Sequence, residues 1–121
     1  MIEEKSWGTL ETLIDSIDKK QYKILLYPNQ HTNYHLHQEC DENHNVLQGK
    51  CVFILDGVLR HCKEGDSLLI SKKTKHCILN TGDCPLILIE TKSGKFFAGD
   101  TSWYNDEVAN IIEKLKNTEI L

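Results

Sequence analysis

Residues 22–28, YKILLYP, open a run of short apolar segments that continues as NVLQG (45–49), CVFILDG (51–57), VLRHC (58–62), SLLI (67–70), HCILN (76–80) and CPLILIETK (84–92). Between them fall Asp56-Gly57, Lys63-Glu64-Gly65-Asp66 and Thr81-Gly82-Asp83, residue types that adopt the tight turns joining antiparallel strands. Val, Ile, Leu, Phe and Cys fill the segments, and the spacing of the turns suits a sandwich or barrel. The expectation is an all-β domain with its barrel over about residues 20–95.

Outside that stretch the period changes. Val108, Ile111, Ile112 and Leu115 recur at i, i+3, i+4 and i+7 behind the capping candidates Asn105 and Asp106, which predicts an amphipathic helix over about 106–117. Leu10, Leu13, Ile14 and Ile17 show the same spacing over about three turns, but the segment is rich in β-branched residues, and periodicity alone leaves helix and strand both open. No internal repeat, low-complexity tract or linker divides the chain, so residues 1–121 are expected to form one domain. The terminal helix could cover its own barrel or swap onto a second subunit, and a homodimer is the expected assembly.

Composition narrows the partners. The 121 residues carry 14 Lys and Arg against 18 Asp and Glu, a net charge of −4, with no basic cluster able to neutralise a phosphate backbone; nucleic acid is not expected. No apolar run approaches the roughly 18 residues of a membrane helix. The start, MIEEKSWG, lacks the layout of a signal peptide, so no membrane association and a cytoplasmic location are expected. The five cysteines are odd in number and contain no C-x-x-C pair, which fits reduced core residues better than a disulfide framework or a thiolate zinc site.

Six histidines in so short a chain raise the question of ligation, and spacing decides it. His35 and His37 are two residues apart, so on a strand both imidazoles point to one face. Glu42 follows at an odd offset and would face away on a continuous strand. The polar stretch Gln38 to Asp41 must therefore bend the chain and return Glu42 inward on a following segment. His76 heads HCILN and can supply a third imidazole. Three imidazoles and one carboxylate leave one or two positions of a five- or six-coordinate shell open for substrate or water on one divalent ion such as Zn, Mn, Fe, Ni or Co. His31 and His61 fit none of these spacings.

These residues resemble the cupin superfamily. Its first motif runs G-x5-H-x-H-x3,4-E-x6-G and corresponds here to Asn29, His35, His37, Glu42 and Gly49. Its second, G-x5-P-x-G-x2-H-x3-N, corresponds to Gly65, Ser71, Lys73, His76 and Asn80. Seven of those ten positions match, and Asn29, Ser71 and Lys73 depart at turn positions. The stretch Glu4-Lys5-Ser6-Trp7-Gly8 further resembles the E-K-P-W-G opening of the type II phosphomannose isomerase domain, with likeness in register over about residues 3–100. That likeness argues for strand, not helix, near Thr9 to Ile14. Past Asp100 it ends: the family's acidic stretch and Tyr-Gly-Arg are replaced by Trp103-Tyr104-Asn105-Asp106 and the predicted helix.

The resemblance implies a double-stranded β-helix (jelly-roll) cupin barrel with a C-terminal α-helix, and His35, His37, Glu42 and His76 as the metal ligands. It also implies an isomerase or epimerase-like reaction on a phosphorylated or nucleotide-activated sugar, of the mannose-6-phosphate isomerase type. In such chemistry the metal stabilises charge developing on neighbouring sugar oxygens while a carboxylate or imidazole moves the proton. His44, which shares strand parity with Glu42, and Glu90, at the end of ILIE, are the candidates for that transfer. Lys73 and Lys75, crowding the turn before His76, could attract a phosphate. Trp7, with Trp103 and Tyr104, could stack a sugar. A non-catalytic sugar-binding module and an Fe(II)-dependent oxygenase are the competing classes, since fold alone does not settle chemistry.

Overall fold

A computed structural model describes residues 1–117 and arranges eleven strands and one helix in two facing sheets. In chain order the strands are β1 (Ile2–Lys5), β2 (Gly8–Asp15), β3 (Lys19–Leu26), β4 (His35–His37), β5 (Cys40–Gln48), β6 (Lys50–Leu55), β7 (Val58–Lys63), β8 (Ser67–Ile70), β9 (His76–Asn80), β10 (Leu86–Gly94) and β11 (Thr101–Trp103). Helix α1 spans Asn105–Asn117. One sheet has the order β1-β2-β3-β10-β5-β8 and the other β11-β4-β9-β6-β7, with antiparallel pairing throughout. Sequence neighbours β9 and β10 lie in different sheets, the mark of a jelly roll.

The turns sit where the sequence punctuates. Asn29 and Lys73 replace family glycines, and both keep the left-handed backbone those positions demand, at φ 62° and 67°. The local departures from the motif therefore preserve its geometry. Asn80 closes the second motif as a scaffold. Its amide donates to the carbonyls of Leu26 and Cys84 at 2.9 Å each, and its Oδ1 accepts the N–H of Gly82.

Between the sheets, Ile24, Leu26, Val46, Phe53, Ile70, Ile78, Leu86 and Leu88 form an apolar floor. A second cluster lies on the outer face of the smaller sheet, where Val52, Ile54, Cys77 and Leu79 meet Val108, Ile112 and Leu115 of α1. Because α1 covers that face, β6 and β9 are buried on both sides, which explains their unbroken apolar runs. Helix α1 thus covers its own barrel. The candidate cap Asn105 acts differently from expectation: its Oδ1 accepts the N–H of Tyr34 at 2.7 Å and ties the start of the helix to the approach of β4.

The amino-terminal segment is strand. β2 pairs with β3, and a register shift between Thr12 and Ile14 interrupts its alternation, so Leu10, Leu13 and Ile14 imitate helical spacing by way of a bulge. All five cysteines are free thiols; Cys40, Cys51, Cys62 and Cys77 are buried and Cys84 is exposed. Among the described residues no helix is long and apolar enough to cross a membrane.

The docking of α1 is directly testable. Ile112→Ala should destabilise the fold by about 2 to 4 kcal/mol in urea denaturation, because it opens a cavity in the outer cluster. Ile111→Ala, at the margin of that cluster, should cost clearly less.

Candidate metal centre

β4 presents His35 and His37 from one sheet, β9 presents His76 beside them, and β5 presents Glu42 from the facing sheet. The return of Glu42 is achieved at Gln38-Glu39, where the chain leaves β4 for β5. The buried Asp100 fixes that crossing: its Oδ1 accepts the N–H of Gln38 at 3.0 Å and of Glu39 at 3.1 Å. One ligand atom from each of His35, His37, Glu42 and His76 lies within 4.8 Å of the other three.

Hydrogen bonding on the far side of each ring fixes the tautomers. His35 Nδ1 lies 2.8 Å from the carbonyl of Asn33 and His76 Nδ1 lies 2.9 Å from the carbonyl of Thr74. A carbonyl only accepts, so both Nδ1 atoms carry the proton in the neutral ring and both Nε2 atoms present a lone pair. His37 Nδ1 faces Thr101 Oγ1 at 3.0 Å and the Asp100 carboxylate at 3.4 Å, which favours the same tautomer. Glu42 Oε2 sits 2.9 Å from His37 Nε2 and 3.0 Å from His76 Nε2. These three buried atoms have no hydrogen-bond partner among the described residues. Unpaired ligand atoms of His37, His76 and Glu42, with a ring nitrogen of His35 within 4.8 Å of them, are the environment a divalent cation fits.

Electrostatics agree with the geometry. Burial, then the neighbouring His76, pushes His35 down to about 3, so its ring is neutral. Burial opposes ionisation of Glu42, but the surrounding imidazoles, His76 foremost, outweigh it and hold the carboxyl well below its usual range.

His44 is fully buried, with Nε2 2.8 Å from Glu42 Oε1 and its ring edge-on to Phe53. Burial lowers its pKa despite the Glu42 charge, so the neutral ring donates through Nε2 to Glu42 and steadies it. Glu90 shares this corner; burial first, and then the Glu42 charge, push its carboxyl well above the usual range. Both residues line a cavity of about 220 Å³ that contains the four converging side chains. Trp7 and Trp103 are in its wall, whereas Tyr104 packs beside the helix cluster.

Lys73 and Lys75 do not line this cavity. Lys75 turns toward α1, with Nζ 2.8 Å from Glu107 and 4.2 Å from the centre of the Tyr104 ring. Lys73 is exposed and contributes its backbone N–H to the carbonyl of His37. The register explains the difference, because β9 begins at His76 and leaves the lysine turn outside the wall. Lys5 and Lys92 stand in the wall instead. Sequence reading missed them, together with Asp100 and Thr101. Lys5 had a signal in the E-K-x-W-G opening; the others depend on pairing between distant strands.

Two facing antiparallel sheets with a His/Glu cluster at their mouth define a double-stranded β-helix able to hold an ion. Residues 22–92, more than half of the chain, match the family described as the cupin domain, and the chain belongs to that family. It is 31% identical to the mannose-1-phosphate guanylyltransferase of Escherichia coli K12 over 97 residues, which are 79% of this chain and 20% of that one. The chain thus spans about a fifth of the length of such relatives. Among solved structures, a double-stranded β-helix protein from Klebsiella pneumoniae superposes with a TM-score of 0.75 at 16% identity, covering 85% of this chain and 84% of that one. The capsular polysaccharide assembling protein CapF from Staphylococcus aureus also superposes with a TM-score of 0.75, at 19% identity, covering 87% of this chain and 34% of that one.

Two substitutions check the centre. His76→Ala should sharply reduce the metal retained after purification without chelator, read by elemental analysis, while circular dichroism stays unchanged. Asp100→Asn keeps an oxygen for the Gln38 and Glu39 amides but puts an NH2 donor where the carboxylate oxygen faces His37 Nδ1, removing that acceptor. It should lower metal affinity by about 10- to 100-fold.

Proposed function

We propose that this chain is a metal-dependent cupin that interconverts isomers of a phosphorylated or nucleotide-activated sugar, as a mannose-6-phosphate isomerase-like enzyme does. The observation that carries the proposal is the convergence of unpaired Nε2 and Oε2 atoms inside a cavity that also holds a carboxyl, two ammonium groups and two indoles. His35, His37, Glu42 and His76 would hold one divalent ion, which as a Lewis acid stabilises negative charge developing on a bound oxygen. The name of the Escherichia coli relative places mannose phosphate chemistry among proteins that contain this kind of domain.

The chain's own residues divide the remaining work. Trp7 and Trp103 offer flat apolar surface to a sugar ring, and Lys5 and Lys92 offer positive charge to its phosphate, in place of Lys73 and Lys75. Glu90 is the proton-transfer residue, because its carboxyl lines the cavity, whereas the Nε2 proton of His44 is engaged by Glu42. A cytoplasmic setting and a homodimer belong to the same proposal.

Metal-loaded protein should interconvert aldose and ketose forms of at least one member of a sugar-phosphate and nucleotide-sugar panel, anaerobically and with more than one divalent ion. In deuterated water the product should carry deuterium on the carbon that exchanges its proton. Glu90→Gln should lower kcat by about 10²- to 10⁴-fold with little loss of bound metal. Oxygen consumption dependent on iron would identify an oxygenase. Saturable binding without turnover would identify a binding module.

A further inference from the structure

Beside the candidate metal centre lies a second cavity of about 380 Å³, walled in part by Lys20, Lys92, Phe96, Phe97 and Asp100. It shares His37, Lys92 and Thr101 with the first cavity, so one ligand could enter both. Lys20 on β3 and Lys92 on β10 are direct cross-strand partners. Like charges in that relation destabilise a sheet unless an anion lies between them. Lys20 pairs at 3.5 Å with Asp15, whose side chain is largely in solvent, and Lys92 lies 3.8 Å from Glu90 and opposite Glu42 on β5, so the outward side of the lysine pair faces the cavity without a carboxylate between the two ammonium groups. Asp100, the carboxylate in this wall, already accepts the Gln38 and Glu39 amides.

A phosphate alone would need neither this volume nor an aromatic wall. Phe96 lies beneath Lys20, whose Nζ is 5.1 Å from the ring centre, and Phe97 remains 53% exposed at the cavity. Aromatic rings beside paired cations suit a nucleobase joined to a diphosphate, because a base stacks on any flat ring while lysines meet the phosphoryl oxygens.

We infer that this cavity binds the nucleoside diphosphate portion of a nucleotide-activated sugar, with Lys20 and Lys92 on the diphosphate, Phe96 and Phe97 against the base, and the sugar directed past His37 toward the donor cluster. This rests on the sugar-directed function proposed above and narrows its substrate class to nucleotide sugars.

The test is calorimetric titration of the full-length chain with GDP, UDP, ADP and dTDP, beside pyrophosphate and mannose 6-phosphate. At least one nucleoside diphosphate should bind about tenfold or more tightly than pyrophosphate and mannose 6-phosphate. Lys20→Met, at the rim, should weaken that nucleotide at least about tenfold. Phe97→Ala should weaken the nucleotide and leave pyrophosphate unchanged. Lys92→Met should act like Lys20→Met, with a thermal melt confirming that the variant is folded. Equal affinity for pyrophosphate and every nucleotide, or nucleotide binding indifferent to Lys20→Met and Phe97→Ala, overturns the inference. Binding is read without turnover. A chain that binds nucleotide but isomerises no sugar therefore refutes the isomerase reading alone, and one that isomerises a sugar phosphate but binds no nucleotide refutes this subsite alone.

Discussion

Four acceptor atoms pointed at one another across a space of a few ångströms repel unless positive charge sits among them. That constraint governs the mouth of this barrel. The carbonyls of Asn33 and Thr74 hold one proton of His35 and of His76 on the outer side of each ring, and Asp100 and Thr101 do the same for His37. Glu42 adds a buried carboxylate to the inward-facing lone pairs. A carboxylate taken from water costs several kcal/mol when uncompensated, and the surrounding imidazoles, His76 foremost, supply the compensation that keeps Glu42 ionised when no ion is bound. A bound cation supplies that compensation instead.

The fold must bring these groups together before chemistry begins. His35 and His37 belong to one sheet and Glu42 to the other, so the site exists only where the chain crosses between sheets. Asp100, distant in sequence, holds that crossing by its two amide contacts and faces His37 as well. One carboxylate thereby couples backbone bend to imidazole orientation. The apolar floor below and the helix-covered outer face supply hydrophobic stabilisation that offsets a polar, destabilising mouth.

Much of this was legible in order along the chain. Turn residues marked the strands, the His35-x-His37 parity placed two rings on one face, and the odd offset of Glu42 required the bend that Gln38-Glu39 provides. The remainder was hidden for identifiable reasons. In β5, Glu42 and His44 point inward, so the strand reads as a polar loop until Val46 restores the apolar face. In β2, the bulge between Thr12 and Ile14 disguises a strand as a helix. Asp100 and the Lys20–Lys92 pair act through strands far apart in sequence, and spacing within one segment cannot reveal which strands become neighbours.

β10 shows how one strand can serve core and site together. Its alternate residues Leu86, Leu88, Glu90 and Lys92 progress from apolar through acidic to basic along the barrel axis. Leu86 is paired with Leu26, and Leu88 with Ile24 and Val46, at the level of the floor. Glu90 meets Tyr22 and His44, and Lys92 meets Lys20 and Glu42, at the level of the mouth. Each step of two residues advances about 6.5 to 7 Å, so the transition from packed hydrocarbon to charged cavity is completed within a few rows. Shifting β10 by one residue would turn all four side chains to the opposite face, exposing Leu86 and Leu88 while withdrawing Glu90 and Lys92 from the cavity. The apolar rows therefore fix the register that positions the polar ones, and the chemistry at the mouth inherits its precision from the packing at the floor.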